Sequence, residues 1–223
     1  MQQKISYEIF SERGKLHEEL GMENEDAINV VTNGDYLFVI LSDGAGSSKF
    51  AKEAAQTTVK TVSDFCYNNS VDFFISTEIT AKKLMFDVQA DLDKRAIEIG
   101  TILSEMMSTL VLLAVKKSTM KYITIHIGDG LIALRNDEWK IISYPENGPT
   151  KQYTYFTNSP LVFRHLRITA GKYNIQDKFF VSTDGYFENC SFTEQYISEI
   201  NCNKLANSKD DDVTYCKIEC QMV

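Results

Sequence analysis

No apolar run in this chain approaches the roughly 20 residues that a membrane helix requires. The first residues, Met1-Gln2-Gln3-Lys4-Ile5-Ser6-Tyr7-Glu8, lack the basic stretch and apolar core of a signal peptide. The five cysteines are an odd number and form no Cys-x-x-Cys pair. Cys216 and Cys220 come closest and have no histidine nearby, so a zinc site is not expected. These absences together predict reduced thiols in a cytoplasmic protein. Positive charge is also in short supply: 23 Lys and Arg face 31 Asp and Glu, a net charge of −8, which argues against a nucleic-acid partner. The three prolines all fall between Pro145 and Pro160, marking a long loop rather than a linker between domains. There is no internal repeat and no low-complexity tract, and 223 residues suit a single domain over 1–223.

Apolar alternation and β-branched runs predict strands near 5–11, 27–33, 36–42, 108–116, 121–128, 131–136, 138–144, 162–169, 178–183 and 212–219. Asn33-Gly34 between two of them reads as a hairpin turn. Ala51, Ala54, Ala55, Thr58, Val62, Phe65 and Cys66 recur at helical spacing, as do Leu84, Met85, Val88, Leu92, Ala96 and Ile99. A third, weaker helix is predicted over 192–206. Strand blocks with segregated helices indicate an α+β fold, not a βαβ alternation.

Asp-Gly recurs three times, each time at the end of an apolar run: Asp43-Gly44, Asp129-Gly130 and Asp184-Gly185. Acidic pairs flank these at Glu25-Asp26 and Asp211-Asp212. Taken singly, each Asp-Gly is also a common turn dipeptide. Asp129-Gly130 sits where a hairpin fits, and Asp43-Gly44 precedes a loop and a helix start. Strand ends from distant parts of a chain can converge at one edge, however. Two unit charges about 4 Å apart then cost roughly 4 kcal/mol at an effective dielectric of about 20. A divalent cation is the usual remedy, so an all-carboxylate metal site is the first expectation.

The ordered set resembles the metal-dependent protein phosphatase family, the type 2C serine/threonine phosphatases. The matching residues are Asn24-Glu25-Asp26-Ala27, Ser42-Asp43-Gly44-Ala45-Gly46, Ser108-Thr109, Ile127-Gly128-Asp129, Ser182-Thr183-Asp184-Gly185 and Asp211-Asp212-Val213-Thr214. The resemblance implies a four-layer α-β-β-α sandwich of two antiparallel sheets flanked by helix pairs. It implies two Mn²⁺ or Mg²⁺ ions with an accessory third, weaker site, and hydrolysis of phosphoserine and phosphothreonine in phosphoprotein substrates without a phosphoenzyme. Asp43 would bridge the ions, with Glu25 and the Gly44 carbonyl on one and Asp184 and Asp211 on the other. Asp43 and Asp184 would thus carry catalysis. Asp129 matches the accessory site, and Asp26 would support Glu25 rather than bind metal. Hard oxygen donors of this kind suit Mg²⁺ and Mn²⁺.

The chain departs from the family in places. An Arg that grips substrate phosphate in many members is Gly21 here, leaving Arg13, Lys15 or His17 to reach in from the same loop. The His of Asp-Gly-His-Gly is Ala45, and His126 sits mid-strand, where a hydrogen-bonded core histidine is expected. The flap subdomain looks reduced to the 145–160 loop, with Tyr153, Tyr155 and Phe156 as a packing or recognition surface. The alternative to an enzyme is a non-catalytic signalling or interaction module on the same fold.

Overall fold

Strand β3 (Tyr36–Ser42) is apolar without interruption because it is covered on both faces. Its side chains divide by the two-residue period of a strand. Phe38 and Ile40 pack beneath the helices, whereas Leu37, Val39 and Leu41 face a second sheet. β4 (Leu110–Lys116) repeats the division, with Leu110, Leu112 and Ala114 on one side and Val111, Leu113 and Val115 on the other.

The computed structural model describes residues 3–148, 154–187, 197, 200 and 210–222. Two five-stranded sheets, antiparallel throughout, stack face to face. The first runs in the order β2 (Ala27–Asn33), β3, β4, β5 (Lys121–Ile127), β8 (Arg167–Lys172). The second runs β1 (Gln3–Glu12), β10 (Val213–Met222), β9 (Lys178–Ser182), β6 (Leu131–Arg135), β7 (Trp139–Ser143). Ile132, Leu134, Phe179, Val181, Cys216 and Ile218 close the inter-sheet core from the second sheet. Asn33 pairs with Tyr36 across the predicted hairpin, and Gly34 takes φ +57°, the left-handed conformation such a turn demands.

Helices α2 (Ala51–Asn68) and α4 (Thr77–Glu98), joined through the short α3 (Asp72–Ile75), cover the outer face of the first sheet. The predicted apolar faces are the buried ones: Ala54, Val62 and Cys66 from α2, and Leu84, Val88, Leu92 and Ala96 from α4. Over the outer face of the second sheet lie Tyr186, Phe187, Ile197 and Ile200. The helix expected over 192–206 falls outside the described residues, apart from Ile197 and Ile200, which are both helical. Among the described residues no helix is long and apolar enough to cross a membrane.

One expected strand is corrected. Residues 162–169 do not form a continuous strand. Val162–His165 make a helical turn, α5, and β8 begins only at Arg167. Pro160 accounts for this, because its fixed φ pre-sets a turn. The Val162 N–H then bonds the Ser159 carbonyl and the Arg164 N–H that of Leu161. Helix α1 (Lys15–Leu20), between β1 and β2, is an element the periodicity did not reveal.

The pairing registers bring the acidic motifs to one end of both sheets. Ala27 pairs with Ser42, Leu110 with Ile127, and Tyr215 with Ser182. Glu25-Asp26, Asp43, Asp129 and Asp184 lie one or two residues beyond Ala27, Ser42, Ile127 and Ser182, and Asp211-Asp212 immediately precede β10.

Candidate metal centre

Asp43, Asp129 and Asp184 each place a carboxylate oxygen within 4.8 Å of the other two. They come from the ends of β3, β5 and β9, so three distant stretches of chain meet at one point. All three are half-buried. Burial raises the pKa of Asp43 well above the usual carboxylate range, and the neighbouring charges of Asp184, Asp26, Asp211 and Asp129 raise it further. Asp184 is raised in the same way, with Asp129 and Asp211 as its largest charged neighbours. Asp129 is pushed up to about 6, chiefly by burial, and its Oδ1 has no hydrogen-bond partner. These carboxylates repel one another, as the ligands of a cation site do before the ion binds.

Glycines give the backbone its close approach. A Cβ at Gly44 would sit 2.4 Å from the Ala51 carbonyl oxygen and 2.9 Å from that of Glu25. A Cβ at Gly185 would sit 1.9 Å from the Asp212 carbonyl oxygen. Thr109 fixes the Asp43 loop, its Oγ1 accepting the Asp43 N–H at 3.0 Å.

The acidic pairs divide their work. Asp26 is buried and accepts a 2.9 Å hydrogen bond from Thr183 Oγ1, and its carboxyl is held well above the usual range, chiefly by burial. It thereby ties the start of β2 to the Asp184 loop. Burial pushes the Glu25 carboxyl up to about 7 against the opposing pull of His17, and Glu25 Oε2 is left without a partner. Asp211 adds to the negative field at Glu25, Asp43, Asp129 and Asp184. Asp212, its neighbour, is a structural anchor. Its Oδ1 accepts the Gly14 N–H at 2.7 Å, and its Oδ2 accepts the Glu25 N–H at 2.6 Å.

Beside Asp43, Gly44 and Asp211 opens a cleft of about 380 Å³, walled on its far side by Leu16, His17 and Leu20 of α1. Gly21 closes α1 in the left-handed conformation, φ +67°, with open space where a side chain would go. Arg13 and Lys15 are drawn into surface ion pairs with Glu18 and Glu19. Of the three candidates to replace the missing Arg, only His17 lines the cleft. His126 is fully buried, with Nδ1 at 2.8 Å from Ser143 Oγ, and burial drives its pKa well down. It is a core residue, as its mid-strand position predicts.

The loop after β7 and the start of β8 brace the Gly128 carbonyl beside Asp129. Arg167 donates from Nη2 to the Gly128 carbonyl at 2.6 Å, and its Nε lies 3.2 Å from Glu146 Oε2. Tyr155 stacks on His165 at 3.4 Å between ring centroids. Tyr153 lies outside the described residues.

The model of the family described as protein phosphatase 2C matches residues 13–214. The chain belongs to the protein phosphatase 2C family. Solved structures repeat the fold. The S. agalactiae serine/threonine phosphatase superposes with a TM-score of 0.69 at 15% identity, over 97% of this chain and 99% of that one. The Mycobacterium tuberculosis serine/threonine phosphatase PstP gives 0.70 at 17% identity, over 98% and 99%. The PstP catalytic domain in complex with two manganese ions gives 0.65 at 16%, over 99% and 100%. No curated protein matches the sequence. Within this protein phosphatase 2C member, sequence reasoning overlooked the anchoring role of Asp212 and the threonines behind Asp26. The Asp-Val-Thr and Ser-Thr-Asp triplets were their only local signal.

Proposed function

We propose that this chain is an active, metal-dependent phosphatase acting on phosphoserine and phosphothreonine in proteins. The observation that carries this reading is the convergence of Asp43, Asp129 and Asp184 within 4.8 Å, with raised pKa values and unpartnered oxygens nearby. Such a donor set fits Mg²⁺ or Mn²⁺, which take carboxylate, carbonyl and water oxygens. Asp43 and the Gly44 carbonyl would hold one ion on the Glu25 side, and Asp184 with Asp211 the other. Asp43 would be shared between them, and Asp129 would serve an accessory position. Bound ions supply a hydroxide nucleophile near neutral pH and offset charge developing on the phosphoryl group.

The protein's own groups do the rest. Asp26, Thr183 and Thr214 hold the β9 and β2 ends in register, so the carboxylates keep their positions without metal. Leu16 and Leu20 shield one side of the cleft and confine the approach of the phosphorylated side chain. Among the described residues that line the cleft there is no Arg to grip the phosphate bidentately, so the ions and the cleft wall would supply the binding energy. A non-catalytic module has no reason to keep mutually repelling carboxylates that destabilise its metal-free fold.

The test is direct. Protein stripped with EDTA should not hydrolyse a phosphothreonine peptide, and Mn²⁺ should restore turnover. Metal-induced thermal stabilisation without turnover would favour the module instead.

A further inference from the structure

Helix α1 brings the His17 ring to the cleft beside Asp43, Gly44 and Asp211. His17 and Glu25 are each only 8% exposed, and His17 lines the same cleft as Asp43, Gly44 and Asp211. His17 Nδ1 lies 2.9 Å from Asp212 Oδ2. That oxygen already accepts the Glu25 N–H, and a carboxylate can only accept. The ring therefore donates from Nδ1 to Asp212, which turns Nε2 toward Glu25.

Nε2 faces Glu25 Oε2 across 3.9 Å, too far for a hydrogen bond. That oxygen is shut off from solvent and has no partner. His17 Nε2 and Glu25 Oε2 thus face each other inside the protein at a separation that two ligands of one ion can adopt. A carboxylate that accepts from one ring nitrogen and so aims the other at the ion is how metal-binding histidines are commonly held.

We propose that His17, through Nε2, is a ligand to the ion on the Glu25 side of this centre, with Asp212 orienting the ring. The proposal rests on reading the site as a metal centre. It makes α1 more than a connector: the helix brings a ligand that the acidic motifs do not contain. It also sets a preference, since imidazole suits Mn²⁺ better than Mg²⁺, which favours oxygen.

Mn²⁺ alone is the probe. The full-length protein, stripped of metal and reloaded with Mn²⁺, is measured by pulsed electron paramagnetic resonance. Samples grown with ¹⁴N- and ¹⁵N-histidine are compared. The expected result is a nitrogen coupling that changes with the isotope, persists in His165→Gln and disappears in His17→Gln. Titration should show Mn²⁺ affinity falling about tenfold or more in His17→Gln, and Mg²⁺ affinity changing much less. The wild-type isotope comparison stands even if His17→Gln fails to fold. Bound Mn²⁺ with no histidine coupling overturns the His17 assignment and leaves the proposed function intact; it would make His17 only a neighbour of Glu25. Failure to bind Mn²⁺ at all overturns both.

Discussion

The Oδ2 atom of Asp212 accepts both the Glu25 backbone N–H, at 2.6 Å, and the His17 ring, at 2.9 Å. Its Oδ1 takes the Gly14 N–H, so one carboxylate ties α1, the β2 entry and the β10 entry together. Asp211, next along the chain, instead adds its charge to the acidic centre. Adjacent residues of one type should therefore fail differently. Asp212→Ala strands three buried donors and should cost about 3 kcal/mol, lowering Tm by about 6–12 °C. Asp211→Asn should hold or raise the metal-free Tm and abolish activity. Thermal melts of both variants, followed by a phosphatase assay, check the contrast.

Removing one of the crowded charges should stabilise the metal-free fold. Asp43 is crowded by Asp184, Asp26, Asp211 and Asp129. Asp43→Asn should raise the metal-free Tm by the equivalent of about 1–2 kcal/mol and abolish the stabilisation that Mn²⁺ gives the wild type. Differential scanning calorimetry with and without Mn²⁺ measures both.

Metal-free stability should fall as pH rises. The folded protein holds protons more tightly than the unfolded chain at Asp43, Asp184 and Asp26, at Asp129 (about 6) and at Glu25 (about 7). Groups with raised folded-state pKa values stabilise the fold below their unfolded values and lose that contribution as pH climbs through the folded ones. The decline should run from about pH 4 to about pH 7. Excess Mn²⁺ should flatten it by replacing the protons. Melting in EDTA across that range, repeated with Mn²⁺, tests the sign.

Gly185→Ala should be severe for a change of one methyl. Its Cβ would meet the Asp212 carbonyl at 1.9 Å, and backbone cannot step aside as a side chain can. A loss of about 3 kcal/mol or more is expected, together with weaker Mn²⁺ binding, because the collision moves the Asp211-Asp212 pair. Gly21→Ala meets no atoms, although its φ of +67° favours glycine. It should cost only about 1 kcal/mol. Chemical denaturation of the two variants separates them.

Much of this was legible in the chain. β3 and β4 announce themselves because each is buried on both faces, and α2 and α4 because each has one apolar stripe. The Asp-Gly pairs mark strand ends, and their order along the chain identifies the family. What stayed hidden depends on contacts across the chain. Helix α1 has six residues and too little periodicity to register. His17 meets Asp212 across 195 positions, a relationship that no local pattern encodes. The 162–169 run looked like a strand because Val162, Leu166 and Ile168 fall at even spacing, whereas Pro160 turns the chain before β8 can start.

The most direct measurement compares wild type with Asp43→Asn as folded proteins in saturating Mn²⁺, following hydrolysis of a phosphothreonine peptide and of para-nitrophenyl phosphate. The centre described here predicts EDTA-sensitive turnover by the wild type and a loss of at least about a thousandfold in the variant, equivalent to about 4 kcal/mol of barrier. Near-normal turnover by folded Asp43→Asn would contradict it.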